Sequence, residues 1–198
     1  MNTWDEIGKE GPLELFDRWL GEAEQTEPND PNAAALATAT AGAVPSVRMV
    51  LIKRMMPDRF CFFTNAGSRK GRELEENRRA ALCFHWKSLR RQVRVEGAVQ
   101  ELEASVVGAY FHTRSRASQI GAAVSDQSRI LSSREELEER VRRFAEATPG
   151  EVPTPAFWRG FRVLPERIEF WISGDDRLHD RFLFTRVGER WEHVRLFP

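Results

Sequence analysis

Cysteine is scarce in this chain, with two in 198 residues, and tyrosine scarcer still, with one. Cys61 and Cys83 each sit inside an apolar run, and neither belongs to a C-x-x-C pair. Two such residues make no disulfide framework, so buried free thiols are expected. The four histidines, at 85, 112, 179 and 193, lack H-x-x-x-H or H-E-x-x-H spacing, and no metal site is expected from them. A G-x-S-x-G elbow, a G-x-x-x-x-G-K-[ST] loop and a G-x-G-x-x-G turn are all missing. Any nucleotide or cofactor must be held by something other than the commonest motifs. Charge of one sign is not in excess either, because thirty Lys+Arg balance thirty Asp+Glu. That balance argues against wholesale nucleic-acid or anionic-membrane binding. No apolar run approaches the roughly 20 residues that span a bilayer, and Met-Asn-Thr-Trp-Asp-Glu at the start has no basic or apolar leader region. A cytoplasmic location is the expectation.

What is present reads as one domain of 198 residues, mainly β with flanking helices. Pro12 to about Ala23 carries Leu13, Phe16, Trp19 and Leu20 on one helical face, with Pro12 suited to the first turn. Gln25 to Pro31 is a polar linker. Short apolar segments follow at Ala34–Thr40, Val47–Lys53, Arg59–Thr64, Ala80–Trp86 and Gln92–Leu102, with turns at Thr40-Ala-Gly-Ala and Pro57-Asp. A short helix over Ser68–Asn77 interrupts them, with Ser68 as its N-cap. A helical insertion, about 103–147, divides into one helix over Glu103–Ala123 and another from Ser132 to Ala147. Ser133 and Glu136 form a capping signature for the latter, and Pro149, Pro153 and Pro155 end it. Strands resume at Gly160–Leu164, Arg167–Ile172, Arg181–Arg186 and Trp191–Leu196. Closely spaced strands with short loops imply antiparallel pairing in a barrel or sandwich.

Cations stand out in these elements. Arg48 and Lys53 bracket Met49, Val50, Leu51 and Ile52, and five residues apart on one strand they point to opposite faces. Arg69 and Lys70 occupy the first turn of the short helix, where free N–H groups and the helix dipole favour an anion such as phosphate. A solvated basic helix start is an equal reading of that spacing. Tyr110, Arg114 and Ser118 share a face if their helix is continuous, and suit a phosphate monoester, though exposed helices often carry such residues. Arg177, His179 and Arg181 alternate with Leu178 and Asp180, so a strand puts all three on one face. Gathering three such groups is costly without an anionic or electron-rich partner.

Taken in order, these segments resemble the pyridoxamine 5′-phosphate oxidase family. The resemblance rests on Arg48-Met-Val-Leu-Ile-Lys53, Phe63-Thr64-Asn65, Ser68-Arg-Lys-Gly-Arg-Glu-Leu74, Arg91-Gln-Val-Arg-Val-Glu-Gly97 and Ser118-Gln-Ile-Gly121. Gln127-Ser128, Ile168-Glu-Phe-Trp171, Arg177-Leu-His-Asp-Arg-Phe182 and Arg195-Leu-Phe-Pro198 continue it to the C-terminus. It implies an FMN-binding split β-barrel with Greek-key antiparallel strands, forming a homodimer with FMN at the subunit interface. FMN contacts would come from Arg48, Met49, Val50, Leu51, Ile52, Lys53, Phe63, Thr64, Arg69, Lys70, Gln92, Gln127, Ser128, Trp171 and Arg181. Substrate contacts would come from Lys53, Tyr110, Arg114, Ser118, Arg177 and His179, the last two orienting the pyridine ring as the catalytic pair. The implied reaction oxidises pyridoxamine or pyridoxine 5′-phosphate to pyridoxal 5′-phosphate, with O2 as acceptor and H2O2 as product.

The chain departs from the family pattern at several points. Trp171-Ile-Ser-Gly stands for Trp-Gln-Gly, Phe63 for a common tyrosine, and Phe157-Trp-Arg159-Gly for Trp-Gly-Gly. The segment before Pro12 lacks the basic and tyrosine residues that close over substrate in relatives. Alternative readings are a split-barrel flavin oxidase acting on another substrate, such as a phenazine precursor, and a flavin-binding module without oxidase activity. An RNA-binding barrel would leave the ordered motifs unexplained.

Overall fold

The computed structural model describes residues 7–55 and 58–198. Helix α1, Pro12–Thr26, starts with Pro12 at its first position and runs three residues past the expected end. Its Leu15, Phe16, Trp19, Leu20 and Ala23 are buried, the one-sided pattern that an amphipathic helix needs. The strands before the helical region are β1 (Ala33–Ala39), β2 (Pro45–Leu51), β3 (Lys53–Met55), β4 (Asp58–Asn65), β5 (Arg79–Trp86) and β6 (Arg91–Glu101). Helix α2, Arg69–Glu76, lies between β4 and β5. After β6 come α3 (Ala104–Thr113), α4 (Arg116–Val124) and α5 (Arg134–Ala147), then β7 (Trp158–Ile172), β8 (Asp180–Val187) and β9 (Arg190–Leu196).

All strand pairs are antiparallel. The sheet runs β2-β1-β5-β6-β7-β4-β3, with β8 joined to β7 and β9 to β8, and it curls into a half-barrel. Strand β7 organises the curl. Its N-terminal half pairs with β4, its C-terminal half with β8, and β6 lies along its whole length. The two strands expected at 160–164 and 167–172 are therefore one, interrupted only by a bulge. Glu96 faces Arg167 while Gly97 faces Pro165, leaving Glu166 as the extra residue. Gly97 is required there, since a Cβ would lie 1.9 Å from the Leu164 carbonyl oxygen.

The core lies between α1 and the sheet. Phe16 packs at 4.7 Å from Phe60 and 5.0 Å from Phe84, and Trp19 meets Phe170 edge-on at 5.0 Å. Alternation along β1 sends Ala34, Leu36 and Thr38 inward. A smaller core of Val107, Phe111, Ile120, Val152 and Trp158 fastens the helical region to the start of β7.

Several local expectations hold. Ser68 caps α2 by accepting from Gly71 N–H, and Ser133 caps α5 by accepting from Glu136 N–H. The Thr40–Ala43 turn closes with Ala43 N–H donating to the Thr40 carbonyl. Of the Pro57-Asp turn, Pro57 lies outside the described residues.

Other expectations need correction. The helix expected over Glu103–Ala123 is two helices, because Arg114 is extended (φ −76°, ψ 154°) and the Ser115 hydroxyl caps α4 by accepting from Ser118 N–H. The strand expected over Val47–Lys53 divides at Ile52, whose N–H extends the β1–β2 register by donating to the Asn32 carbonyl, while Lys53 already pairs with Cys61 of β4. Cys61 is buried as expected, but Cys83 is only half-buried.

Candidate functional site

A cavity of about 700 Å³ opens among β2, the end of β4, the start of α2 and the α3–α4 junction. The break at Ile52 explains how Arg48 and Lys53, expected on opposite faces of one strand, both line it. Met49, Val50 and Leu51 form part of the same wall, whereas Ile52 points into the main core.

One end of the cavity is strongly cationic. Arg48, Arg69 and Lys70 meet there with Thr64, Gln127 and Ser128. Lys70 Nζ donates to Thr64 Oγ1 at 3.0 Å and to Gln127 Oε1 at 3.1 Å. Burial and the neighbouring Arg48 charge push the Lys70 ammonium down to about 8, against the pull of Glu73. Glu73, almost wholly buried, accepts from the Thr38 and Ser46 hydroxyls, from Arg48 at 3.3 Å and from Arg69 Nε at 2.9 Å. Burial alone would raise its carboxyl, but these donors and the Arg48 charge outweigh it and hold the group at about 2. It is a carboxylate at any ordinary pH.

The opposite end is aromatic and carries a different cation. Phe63, Tyr110 and Trp158 are nearly parallel, with Phe63 4.1 Å from Tyr110 and 5.0 Å from Trp158. The Arg114 guanidinium lies over Trp158, 5.1 Å from the ring centroid. Its Nη1 is buried and has no hydrogen-bond partner among the described residues. Burial lowers the Arg114 pKa, yet an arginine stays charged. Ser118 faces the same space. Tyr110, Arg114 and Ser118 thus converge as expected, but across a helix junction and not along one helical face.

The remaining expected residues form a second cluster, separate from this cavity within one chain. Gln92, Trp171 and Arg181 sit side by side across β6, β7 and β8. Arg181 is held by a two-point pair with the buried Glu169, at 2.9 and 3.1 Å. Only Arg181 of the Arg177–His179–Arg181 set belongs to a strand. Arg177 lies in a 3-10 turn, Asp175–Arg177, at φ 64°, so the expected alternation on one strand face does not occur. His179 instead packs on Trp171 at 4.6 Å. The Gly174 N–H donates to His179 Nδ1, which places the proton of the neutral ring on Nε2. A Cβ at Gly174 would lie 1.9 Å from the Leu178 carbonyl oxygen, so this turn closes only around glycine.

Sequence reasoning missed Glu73, Ser46, Trp158 and Glu169. The i, i+4 spacing of Arg69 and Glu73 was a usable signal for one of them. Trp158 offered none, because its partners Phe63, Tyr110 and Arg114 are distant in sequence.

Comparison with known proteins agrees with this geometry. Residues 20–147 match the family described as pyridoxamine 5′-phosphate oxidase, and residues 158–198 match the pyridoxine 5′-phosphate oxidase C-terminal dimerisation region. The chain is 53% identical to the pyridoxine/pyridoxamine 5′-phosphate oxidase of Gluconobacter oxydans, covering 96% of each. It is 53% identical to the enzyme of the same name from Erythrobacter litoralis, over 98% of this chain and 93% of that one. Among solved structures it is similar to PhzG from Burkholderia lata in complex with tetrahydrophenazine-1-carboxylic acid. There the TM-score is 0.89 at 32% identity, with 94% of this chain and 92% of that one covered. A pyridoxamine 5′-phosphate oxidase-related, FMN binding protein from Nostoc punctiforme has a TM-score of 0.78 at 14% identity, over 96% and 99% of the two chains, and shares the fold. With curled sheet, cationic cavity and near-full-length relatives in agreement, the chain belongs to the pyridoxamine 5′-phosphate oxidase family.

Proposed function

We propose that the chain is an FMN-dependent oxidase converting pyridoxamine 5′-phosphate, pyridoxine 5′-phosphate or both to pyridoxal 5′-phosphate, with O2 reduced to H2O2 and, for the amine, water consumed and ammonia released. It acts as a single split-barrel domain within a cytoplasmic homodimer. Among the described residues no helix is long and apolar enough to cross a membrane.

The residues present fit FMN and a second phosphate. Arg69, Lys70 and the first turn of α2 would take the FMN phosphate, with Arg48, Thr64, Gln127 and Ser128 around it. Phe63, Met49, Val50, Leu51 and Lys53 would contact the remainder of the cofactor. FMN supplies the two-electron acceptor that O2 reoxidises.

The observation that carries the substrate reading is the Arg114 Nη1, buried on the cavity wall without a hydrogen-bond partner among the described residues. Leaving a buried charged donor unpaired is costly, and a phosphate monoester removes that cost. Lys53, Tyr110 and Ser118 supply further donors beside it. The 32%-identical PhzG relative, in complex with a carboxylic acid, keeps another anionic substrate in view, since a carboxylate also pairs with a guanidinium. The further donors of Lys53, Tyr110 and Ser118 favour the more highly charged phosphate.

Gln92, Trp171, Arg177, His179 and Arg181 would complete the cavity of the partner subunit. Support comes from the dimerisation region and from the outward row of β2, where Val47 and Met49 are 67% and 63% exposed beside the cavity. In that assembly Arg177 and His179 Nε2–H orient the pyridine ring. The test is aerobic turnover of both phosphorylated substrates with added FMN, following aldehyde and peroxide. Turnover of neither, with FMN bound, would refute the proposal.

A further inference from the structure

Glu73 does not line the cavity, yet it organises the cationic end. Its side chain is 3% exposed. Oε2 accepts from Thr38 at 2.5 Å, from Ser46 at 2.6 Å and from Arg48 Nη2 at 3.3 Å, while Oε1 accepts from Arg69 Nε at 2.9 Å. Taking a carboxylate out of water this completely is unfavourable unless every acceptor position is used, and here four side chains use them.

The bonds also decide which donors stay available. Arg48 commits Nη1 to the Leu36 carbonyl and Thr38, and Nη2 to Ser46 and Glu73. Arg69 commits Nε to Glu73, which leaves its Nη groups directed away from that bond on a side chain that is 56% exposed. A guanidinium on a free side chain samples many rotamers, whereas one anchored at Nε presents a fixed fork. The carboxylate adjusts charge as well. Beside Arg48, Arg69 and Lys70 it offsets one of three cations, leaving two net positive charges to complement a phosphate dianion.

We infer that Glu73 is a positioning residue for the phosphate of the flavin cofactor: it anchors the Arg69 fork in advance as the phosphate socket and fixes Arg48, whose Nη donors are committed to protein, as a positive charge beside it. The inference rests on the FMN reading above. A carboxylate that merely ties α2 to β1 and β2 would lower stability when removed, but would not single out the phosphate.

Flavin fluorescence titration of the full chain, freed of flavin, separates the two. With Glu73→Gln, the dissociation constant for FMN should rise at least tenfold, while that for riboflavin, which lacks the phosphate, should stay within about threefold of wild type. An equal loss for both flavins would overturn the inference, as would FMN bound unchanged or more tightly. Thr38→Val keeps the charge and removes only the hydroxyl between Arg48 and Glu73. It should weaken FMN about threefold and leave riboflavin unaffected, so it carries the test even if Glu73→Gln does not fold; wild-type FMN affinity in this variant would also overturn the inference. Failure of the wild-type chain to bind FMN would overturn the cofactor reading and this inference together.

Discussion

Arg114 and Trp158 are stacked, with the guanidinium carbon 5.1 Å from the indole centroid. Trp158 in turn belongs to the near-parallel set with Phe63 and Tyr110. The arginine is thus held by rings on one side and turns an unpaired, buried Nη1 from a protein wall that offers it no acceptor among the described residues. An arrangement of this kind is unfavourable in the free chain and becomes favourable when an anion arrives.

Arg114→Ala should therefore leave FMN content near wild type and raise the KM for pyridoxamine 5′-phosphate. Losing one charge-assisted contact costs about 1.5–3 kcal/mol, which corresponds to roughly one to two orders of magnitude in kcat/KM. Arg114→Lys should recover only part, because a point charge cannot reproduce the fork. Steady-state kinetics with a flavin absorbance spectrum of each variant checks both statements; near-wild-type kinetics in the alanine variant would remove the phosphate assignment.

FMN affinity should depend on pH through Lys70. Its ammonium, pushed down to about 8, is charged below that pH and neutral above it. Affinity should be highest below about pH 7 and fall as pH rises through 8. Phosphate binding should also take up protons near pH 8, since the anion favours the charged form. Titrations from pH 6.5 to 9.5 give the profile, and Lys70→Arg should flatten it because arginine stays charged throughout.

Gly174→Ala should damage turnover with little effect on the fold. The new Cβ would meet the Leu178 carbonyl oxygen, so the turn must open and the Gly174 N–H loses His179 Nδ1. We expect kcat to fall at least about tenfold, an order-of-magnitude expectation for a misplaced orienting group. The melting temperature should change by only a few degrees, as for a surface turn. Unchanged kcat would show that His179 needs no such positioning.

Sedimentation at low micromolar concentration should give about twice the 22.8 kDa chain mass. Met49→Glu, on the exposed row of β2, should shift the chain towards monomer and lower its flavin content, since burying an unpaired carboxylate at an interface is unfavourable. A fully active, flavin-loaded monomer would refute the shared site.

The sequence by itself determined the elements whose cause is local. Helix α1 follows from Phe16, Trp19 and Leu20 recurring at helical spacing after Pro12, and α2 from Ser68 as a cap. The ordered motifs from Arg48 to Pro198 likewise identified the family, since residue identity survives without coordinates. Tertiary structure alone decided what depends on partners distant in sequence. The break at Arg114–Ser115 arises because a cap hydroxyl competes with continued helix, and periodicity does not register that competition. The change of partner strand at Ile52, from β1 through Asn32 to β4 through Cys61, depends on residues distant in the chain, and Arg48 and Lys53 on either side of it reach one cavity. Glu73 and Trp158 acquire their importance from Thr38, Ser46, Tyr110 and Arg114, none of them within three residues in the chain, because burial and hydrogen bonding are properties of the folded neighbourhood and not of the local sequence.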